Sequence, residues 1–201
     1  KLLSVSVVNS NELLLRFDEK LEKSISDITF HFTPQLDVAL SSFTSLSLRE
    51  ISLELFQNLS LRQLYMIEIN NIRDCNGNTI HQDFARLTFA LPELPERGDV
   101  LINEILFNPR PGGVDFVEVV NVSSKYFNLK NWSLANYEEN QFINILPITE
   151  SDYILSPQSY LVLTSNGTIL KSQYPTVQEK NLLASKLPSL NDDEGSVAVL
   201  S

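Results

Sequence analysis

Three acidic side chains in one short stretch of this sequence have types and spacing that could do chemistry. The stretch 98–121 reads GDVLINEILFNPRPGGVDFVEVVN, with Glu104 and Glu118 inside two apolar runs and Asp115 in the connection between them. If the chain folds back about Pro111, Glu104 lies opposite Glu118 on neighbouring strands. Two carboxylates roughly 5 to 10 Å apart in an open cleft can act as the acid and the base of glycosidic hydrolysis.

A structural hairpin is the interpretation that we favour for this stretch. Like charges directly opposite each other on two strands are unfavourable, so three arrangements remain open. The register differs, or a cationic side chain such as Arg110 or Lys125 neutralises the pair, or a bound cation does so with help from Asp115. Nothing in the stretch indicates an open cleft with aromatic side chains that hold a sugar, so we predict no catalytic role for Glu104 and Glu118.

Two further polar segments have the composition of turns. The spacing of Asp74, Asn76 and Asn78 resembles that of a calcium loop, but the glycine and glutamate that an EF-hand needs at its sixth and twelfth positions are missing. Asn76 and Gly77 both adopt positive φ readily, which predicts a two-residue hairpin turn. The segment NDDEG at 191–195 is interpreted in the same way, as a solvated acidic hairpin. Calcium binding stays open as the alternative at both places.

The remaining reactive side chains indicate no catalytic site. Cys75 is the single cysteine, which excludes an internal disulfide and a cysteine-based zinc cluster. His31 and His81 have no partner at metal-ligand spacing. Trp132 stands between leucines and is expected to fill the core, with sugar stacking as the alternative. Four Asn-x-Ser/Thr sequences, a number expected by chance, begin at Asn58, Asn121, Asn131 and Asn166. We therefore assign no catalytic, cofactor-binding or metal-ligating residue and expect a protein that is not an enzyme.

Composition limits the classes of partner. The 201 residues are 43% hydrophobic, enough to form a core without disulfides, and the net charge is -10. This charge repels phosphate backbones and anionic lipid surfaces, so we expect neither nucleic-acid binding nor membrane insertion. The chain is expected to be a soluble monomer. It does not begin with methionine and looks cut from a longer polypeptide.

Alternation with a period of two residues dominates the sequence and predicts an all-β fold. Short strand-like runs continue to about residue 91, stop in a Pro-containing linker at 92–97, and resume from 98 to 201. Strands that recur without an intervening helical pattern favour antiparallel sandwiches over parallel α/β units. The prediction is two tandem antiparallel β-sandwich domains.

The second half of the sequence resembles the lamin tail domain, in the form found in large exported bacterial proteins. The resemblance is carried, in order, by VLINEILFNP, DFVEVVNVSSKYFNLKNWSLAN, LSPQSYLVLTS and LNDDEGSVAVLS. It implies an Ig-like sandwich. Because members of that family usually continue with another strand, the resemblance also implies that this domain is truncated at its C-terminus.

The first half resembles the Ig-like domain of bacterial surface-layer proteins. The segments that carry this likeness are ELLLRFDEKLEKS and NLSLRQLYMIEINNIRDCNGNTI. Together the two resemblances imply a non-catalytic spacer or adhesion module of a larger exported or cell-surface bacterial protein. Its partners would be neighbouring domains of the same polypeptide, another protein or cell-wall glycan. The alternative is an accessory domain pair of an extracellular hydrolase or nuclease, in which the loop 108–115 would dock the polymeric substrate.

Overall fold

A computed structural model describes residues 1–191 and 194–201 of the chain. The fold is almost entirely β, which confirms the predicted class of tandem Ig-like β-sandwiches. The chain divides into two compact units, an N-terminal unit of residues 1–92 and a C-terminal unit of residues 93–201. Among the described residues, no helix combines the length and the apolar character that crossing a bilayer requires.

The N-terminal unit is a sandwich of a four-stranded and a three-stranded antiparallel sheet. Its strands are β1 (Leu2–Asn9), β2 (Glu12–Phe17), β3 (Thr29–Thr33), β4 (Val38–Phe43), β5 (Glu50–Leu55), β6 (Leu64–Asn70) and β7 (Arg86–Ala90), with a short 3-10 turn at Gln82–Phe84. The sheet orders are β1-β2-β5-β4 and β3-β6-β7. Leu13, Leu15 and Phe17 show how the alternation works, because they are buried on β2 while Arg16 between them is exposed.

The C-terminal unit contains nine strands and one α-helix among its described residues. They are β8 (Val100–Leu106), β9 (Phe116–Asn121), β10 (Phe127–Asn128), β11 (Ser133–Glu138), β12 (Gln141–Pro147), β13 (Ile154–Leu155), β14 (Tyr160–Thr164), α1 (Gly167–Gln173), β15 (Leu182–Ala184) and β16 (Ala198–Leu200), with a 3-10 turn at Glu179–Asn181. The sheets have the orders β15-β14-β9-β8, β12-β11-β16 and β10-β13. Most of their buried side chains form one main core, and Phe116, Val162 and Leu170 form a second, smaller cluster on the other face of the β9–β14 pair.

The helix α1 and the strand after it differ from the sequence prediction of antiparallel strands alone. The sequence around Asn166 predicts a turn, but the Asn166 side chain accepts a hydrogen bond from the Ile169 N–H at 3.1 Å and caps a helix. Leu170 is the buried residue of that helix. The chain then returns to pair β15 parallel to β14. A helix of seven residues is too short to show a clear 3.6-residue period, so the pattern did not predict it.

The predicted linker belongs structurally to the C-terminal unit for most of its length. The Glu93 N–H donates to the Tyr126 carbonyl at 2.9 Å. The Lys125 ammonium group lies 2.9 Å from the Asp99 carboxylate and 3.1 Å from that of Glu96. A proline-containing segment cannot join a sheet interior, but its polar groups can still be held by side chains of the sandwich. The result is an extended segment attached to one unit.

Removing the charge of Lys125 is expected to loosen this segment. The hydrogen bonds from the Glu96 N–H and Lys125 lower the pKa of Asp99 below its usual 3.8, and Asp99 raises the pKa of Lys125 above its usual 10.5. The interactions that lower the pKa of Asp99 stabilise the fold above pH 3.8, and this stabilisation is lost as the pH falls through the lowered pKa of the folded state. The interactions that raise the pKa of Lys125 stabilise the fold below pH 10.5, and this stabilisation is lost as the pH rises through the raised pKa of the folded state.

Lys125→Met should therefore lower the Tm at neutral pH, and the deficit relative to the unmodified chain should shrink in acid. Thermal melts followed by circular dichroism at a series of pH values measure both effects. Lys171→Met is the matched control, because its partner Glu179 is almost fully exposed and such a pair contributes little. An equal fall of the Tm in the two variants would contradict the stabilising role of the Lys125–Asp99 pair.

Irregular pairing marks the four longest edge strands. Each of β1, β4, β8 and β12 contains a register shift in its pairing with the neighbouring strand. In β12, Asn144 also has a φ of 50°. Irregularities of this kind bend an edge and hinder its pairing with another chain.

Candidate binding surface of the C-terminal unit

The hairpin of β8 and β9 has the register that the sequence predicts. Glu104 pairs with Glu118 and Leu106 with Phe116, which confirms the predicted opposition of the two carboxylates. One register shift lies between Ile102 and Glu104. It follows that the first of the three open arrangements, a different register, is wrong.

An asparagine at this register shift contacts the acidic pair. The side-chain amide of Asn103 donates to Glu118 Oε1 at 2.7 Å. The two cationic candidates lie elsewhere, because Arg110 stacks on the ring of Tyr174 at 5.9 Å and Lys125 pairs with Asp99. The second of the three open arrangements, neutralisation of the pair by Arg110 or Lys125, is therefore wrong. A neutral amide leaves both charges in place but satisfies one carboxylate oxygen of Glu118.

The acidic pair lies on the sheet face opposite the main core, beside the cluster of Phe116, Val162 and Leu170, and Glu118 there is half-buried. Val117 and Val119 are buried in the core, so Glu118 between them points to the opposite side of the sheet, where Glu104 is exposed. Two carboxylates offer at most four oxygens, whereas calcium takes about six to eight. Within residues 1–191 and 194–201, no group of three or more histidine, cysteine or acidic side chains is placed to hold a metal ion. The geometry is that of a sheet surface rather than a catalytic cleft.

A groove of about 340 Å³ lies beside this hairpin, where the edge strand β8 approaches the segment before β16. Its apolar lining includes Ile105, Phe107, Leu190 and Val197. Ile105 and Phe107 are 37% and 43% exposed, which is unusual for residues of an apolar run. Sequence reasoning missed the groove because the run VLINEILF predicts a strand but does not indicate that its edge stays uncovered.

Buried Asn136 holds one wall of the groove. Its side-chain amide donates to the carbonyls of Ser189 and Ser196, both at 2.9 Å. Its side-chain oxygen accepts from the Asn144 amide at 2.9 Å. These contacts tie the segment before β16 to the hairpin of β11 and β12. The sequence carried no signal for this residue, because it is one of many asparagines.

A second buried asparagine, Asn121, is the last residue of β9 and bonds it to the neighbouring loops. Its amide donates to the carbonyls of Lys125 at 2.8 Å, Ser156 at 3.0 Å and Leu155 at 3.4 Å. Its oxygen accepts from the Ser123 N–H and hydroxyl at 3.0 and 2.8 Å. The side chain is fully engaged and solvent-inaccessible. The side-chain amide of Asn121 is therefore inaccessible to glycosylation in the folded protein.

Trp132 is a core residue, as predicted. It is 8% exposed, and its ring lies 5.7 Å from that of Phe127 within the core of the C-terminal unit. The ring has no free face on which a sugar could stack.

The segment containing Asp74 is a turn, as predicted, but not of the predicted type. Gly77 has a φ of 84°, whereas Asn76 is not among the described residues with positive φ. Asp74 Oδ1 instead accepts from the N–H groups of Asn76 and Asn78 at 2.8 and 2.9 Å, and Oδ2 accepts from the Asn78 amide at 2.8 Å. These bonds, that of the Asn78 side chain above all, lower the pKa of Asp74. Its carboxylate acts as a local cap of the turn.

The other candidates are dispersed. His31 pairs with Glu68 between β3 and β6, and His81 precedes the 3-10 turn, with its Nδ1 3.3 Å from Asp83. Cys75 is a free, exposed thiol. The predicted acidic hairpin at 191–195 includes residues 192 and 193, which lie outside the described residues.

Comparison with known proteins bears on the C-terminal unit. The family model Lamin Tail Domain matches residues 94–200, which is more than half of the 201 residues. No match was found among curated proteins or among solved structures. The matched range contains the hairpin of β8 and β9, both buried asparagines and Trp132. On this match, the chain belongs to the lamin tail domain family.

Proposed function

We propose that this chain is a non-catalytic structural and binding module of a larger exported or cell-surface bacterial protein. In this proposal the N-terminal unit is an Ig-like domain of the bacterial surface-layer type, and the C-terminal lamin tail domain is of the bacterial exported type. The module would space neighbouring domains and bind protein or cell-wall glycan outside the cell. Membership of an Ig-like family is compatible with this role but does not by itself determine it.

The observation that carries the proposal is the position of Glu104 and Glu118. These two carboxylates were the strongest candidates for chemistry in the sequence, yet Glu104 is exposed and the half-buried Glu118 is bonded to Asn103. Acid and base catalysis needs groups that converge on a position from which bulk water is largely excluded. A pair on one sheet face, with Glu104 open to water, does not supply such a position.

The loop 108–115 supports the alternative of a substrate-docking pair in a hydrolase or nuclease. A side-chain carbon added at Gly113 would come within 2.5 Å of Gln173 Oε1 and 2.8 Å of the Arg110 carbonyl, so this glycine is packed tightly. Arg110 in turn lies on the ring of Tyr174 just after α1. A loop held in one conformation loses little entropy on binding, which suits a docking role.

The double variant Glu104→Gln with Glu118→Gln tests the absence of catalysis. With chromogenic glycosides, a nitrophenyl phosphodiester and a nitrophenyl ester as substrates, we expect the unmodified chain and the variant to give the rate of buffer alone. The variant should also have a slightly higher Tm, because it removes like-charge repulsion while the glutamine oxygen still accepts from Asn103. Activity above that of buffer which disappears in the variant would overturn the proposal.

A further inference from the structure

The tip of the β11–β12 hairpin carries two exposed aromatic rings. Tyr137 and Phe142 are paired across the strands and are 46% and 47% exposed. Their ring centroids are 5.1 Å apart, and the ring planes are inclined by 52°. At this distance the two rings contact each other and form a wedge whose outer faces are open, rather than a flat platform. Such a wedge suits a compact group more than the broad face of a sugar ring.

Two carboxylates lie next to the rings. Glu138 and Glu139 are exposed, and neither forms an ion pair with any of the residues that the structure describes. No lysine or arginine occurs in the sequence between Lys130 and Lys171. The hairpin therefore combines negative charge with aromatic faces and has no cation of its own.

The turn itself departs from the usual turn chemistry. Glu138 pairs with Gln141, so Glu139 and Asn140 form a two-residue loop, with φ values of 47° and 62°. Positions with positive φ favour glycine or asparagine, and a glutamate is unfavourable there. A residue that breaks a local rule of this kind is more often kept for function than for folding.

The base of the hairpin is held in place from one side. Ser196 Oγ donates to the Tyr137 carbonyl at 2.6 Å and accepts from the Tyr137 N–H at 2.8 Å. Asn136, next to Tyr137, is buried and bonded to Ser189 and Ser196 as described above. The aromatic and acidic side chains are thus presented on a fixed support, which reduces the entropy lost on binding.

We propose that this hairpin tip is a docking site for a cationic segment of a partner protein. A lysine or arginine side chain would lie over the exposed outer face of Tyr137 or Phe142, where the ring attracts a cation, and would pair with Glu138 or Glu139. Charge complementarity argues for this occupant, because the tip is acidic and the chain carries a net charge of -10. The inference extends the proposed binding role, and its test has a different readout from the activity assay, so either can fail alone.

Titration of the isotope-labelled full chain with a hexaarginine peptide, followed by NMR, tests this docking site. We expect amide shifts concentrated at residues 137–142. Glu138→Gln with Glu139→Gln should raise the Kd about fivefold or more, and Phe142→Ala should raise it about two- to fivefold. The matched control is Glu19→Gln with Glu22→Gln, which makes the same charge change at two exposed residues and should leave the Kd within about twofold.

Three results would overturn the proposal. Equal weakening by the two double variants would mean that the peptide responds to net charge alone. Amide shifts centred away from the hairpin, or the absence of a saturable shift at low salt, would mean that the hairpin tip does not bind the cationic peptide. Stronger shifts at the tip with chitohexaose than with hexaarginine would assign the rings to a neutral glycan instead. Well-dispersed spectra of all variants establish that each one is folded.

Discussion

Replacing Asn121 by aspartate is expected to lower the free energy of unfolding of the C-terminal unit by about 3 to 5 kcal/mol at neutral pH. The change conserves shape but replaces the amide that donates to three carbonyls, those of Lys125, Leu155 and Ser156, by a carboxylate oxygen. A buried negative charge would then face three acceptors and no donor on that side. Burial of both the charge and the acceptors makes the effect large.

The fluorescence of Trp132 during urea unfolding measures this loss, because the only tryptophan of the chain lies in the C-terminal unit. Burial should raise the pKa of the new carboxyl, so its cost should fall as the pH drops below that raised value and the group becomes neutral. Asn166→Asp is the matched control. Asn166 caps α1, and aspartate caps a helix as well as asparagine does, so that change should stay within about 0.5 kcal/mol. A loss of under about 1 kcal/mol for Asn121→Asp would contradict the buried network.

Replacing Trp132 by alanine is expected to cost about 3 to 5 kcal/mol, the range for removing a large aromatic side chain from a core. The indole fills the space beside Phe127, and neighbouring strands cannot close the resulting cavity without breaking their own hydrogen bonds. Calorimetry or circular dichroism must follow the unfolding, since the variant has no tryptophan left to observe.

Phe142→Ala serves as the control for this second change, because it also removes an aromatic ring from the same unit but at an exposed site. We expect a loss of about 1 kcal/mol or less, most of it from the lost contact with the Tyr137 ring. If Trp132→Ala lowered the free energy of unfolding no more than the control does, the indole would not be part of the core. The alternative that it is an exposed surface for sugar stacking would then be favoured.

The β8–β9 hairpin shows how much of the candidate site the sequence could predict. Folding the two apolar runs back about the Pro/Gly connection places Glu104 opposite Glu118, and the structure has this pairing. The same reasoning could not predict how the pair is tolerated. The contact depends on the register shift beside Asn103, which brings that amide to Glu118, and a shift of this kind leaves no period in the sequence.

The turn at Asp74 shows a similar limit. Its composition predicted a reversal of the chain, and the structure contains one. Its type was mispredicted because the Asp74 side chain competes for the N–H groups of the turn and selects a conformation in which Gly77 has positive φ and Asn76 does not. Likewise, α1 depended on a single capping asparagine and one buried leucine, which is too little to form a pattern.

By itself, the sequence determined the all-β class through its alternation with a period of two residues, the burial of Trp132 through the leucines around it, and the opposition of two glutamates through the Pro/Gly connection between their strands. It also contained the segments that place the C-terminal half in the lamin tail domain family. Tertiary structure alone decided the roles of Asn121 and Asn136, the groove beside β8 and the wedge of Tyr137 and Phe142. Those features depend on which carbonyls, edges and rings meet across the fold, and contacts between residues distant in sequence leave no periodic signal in the chain.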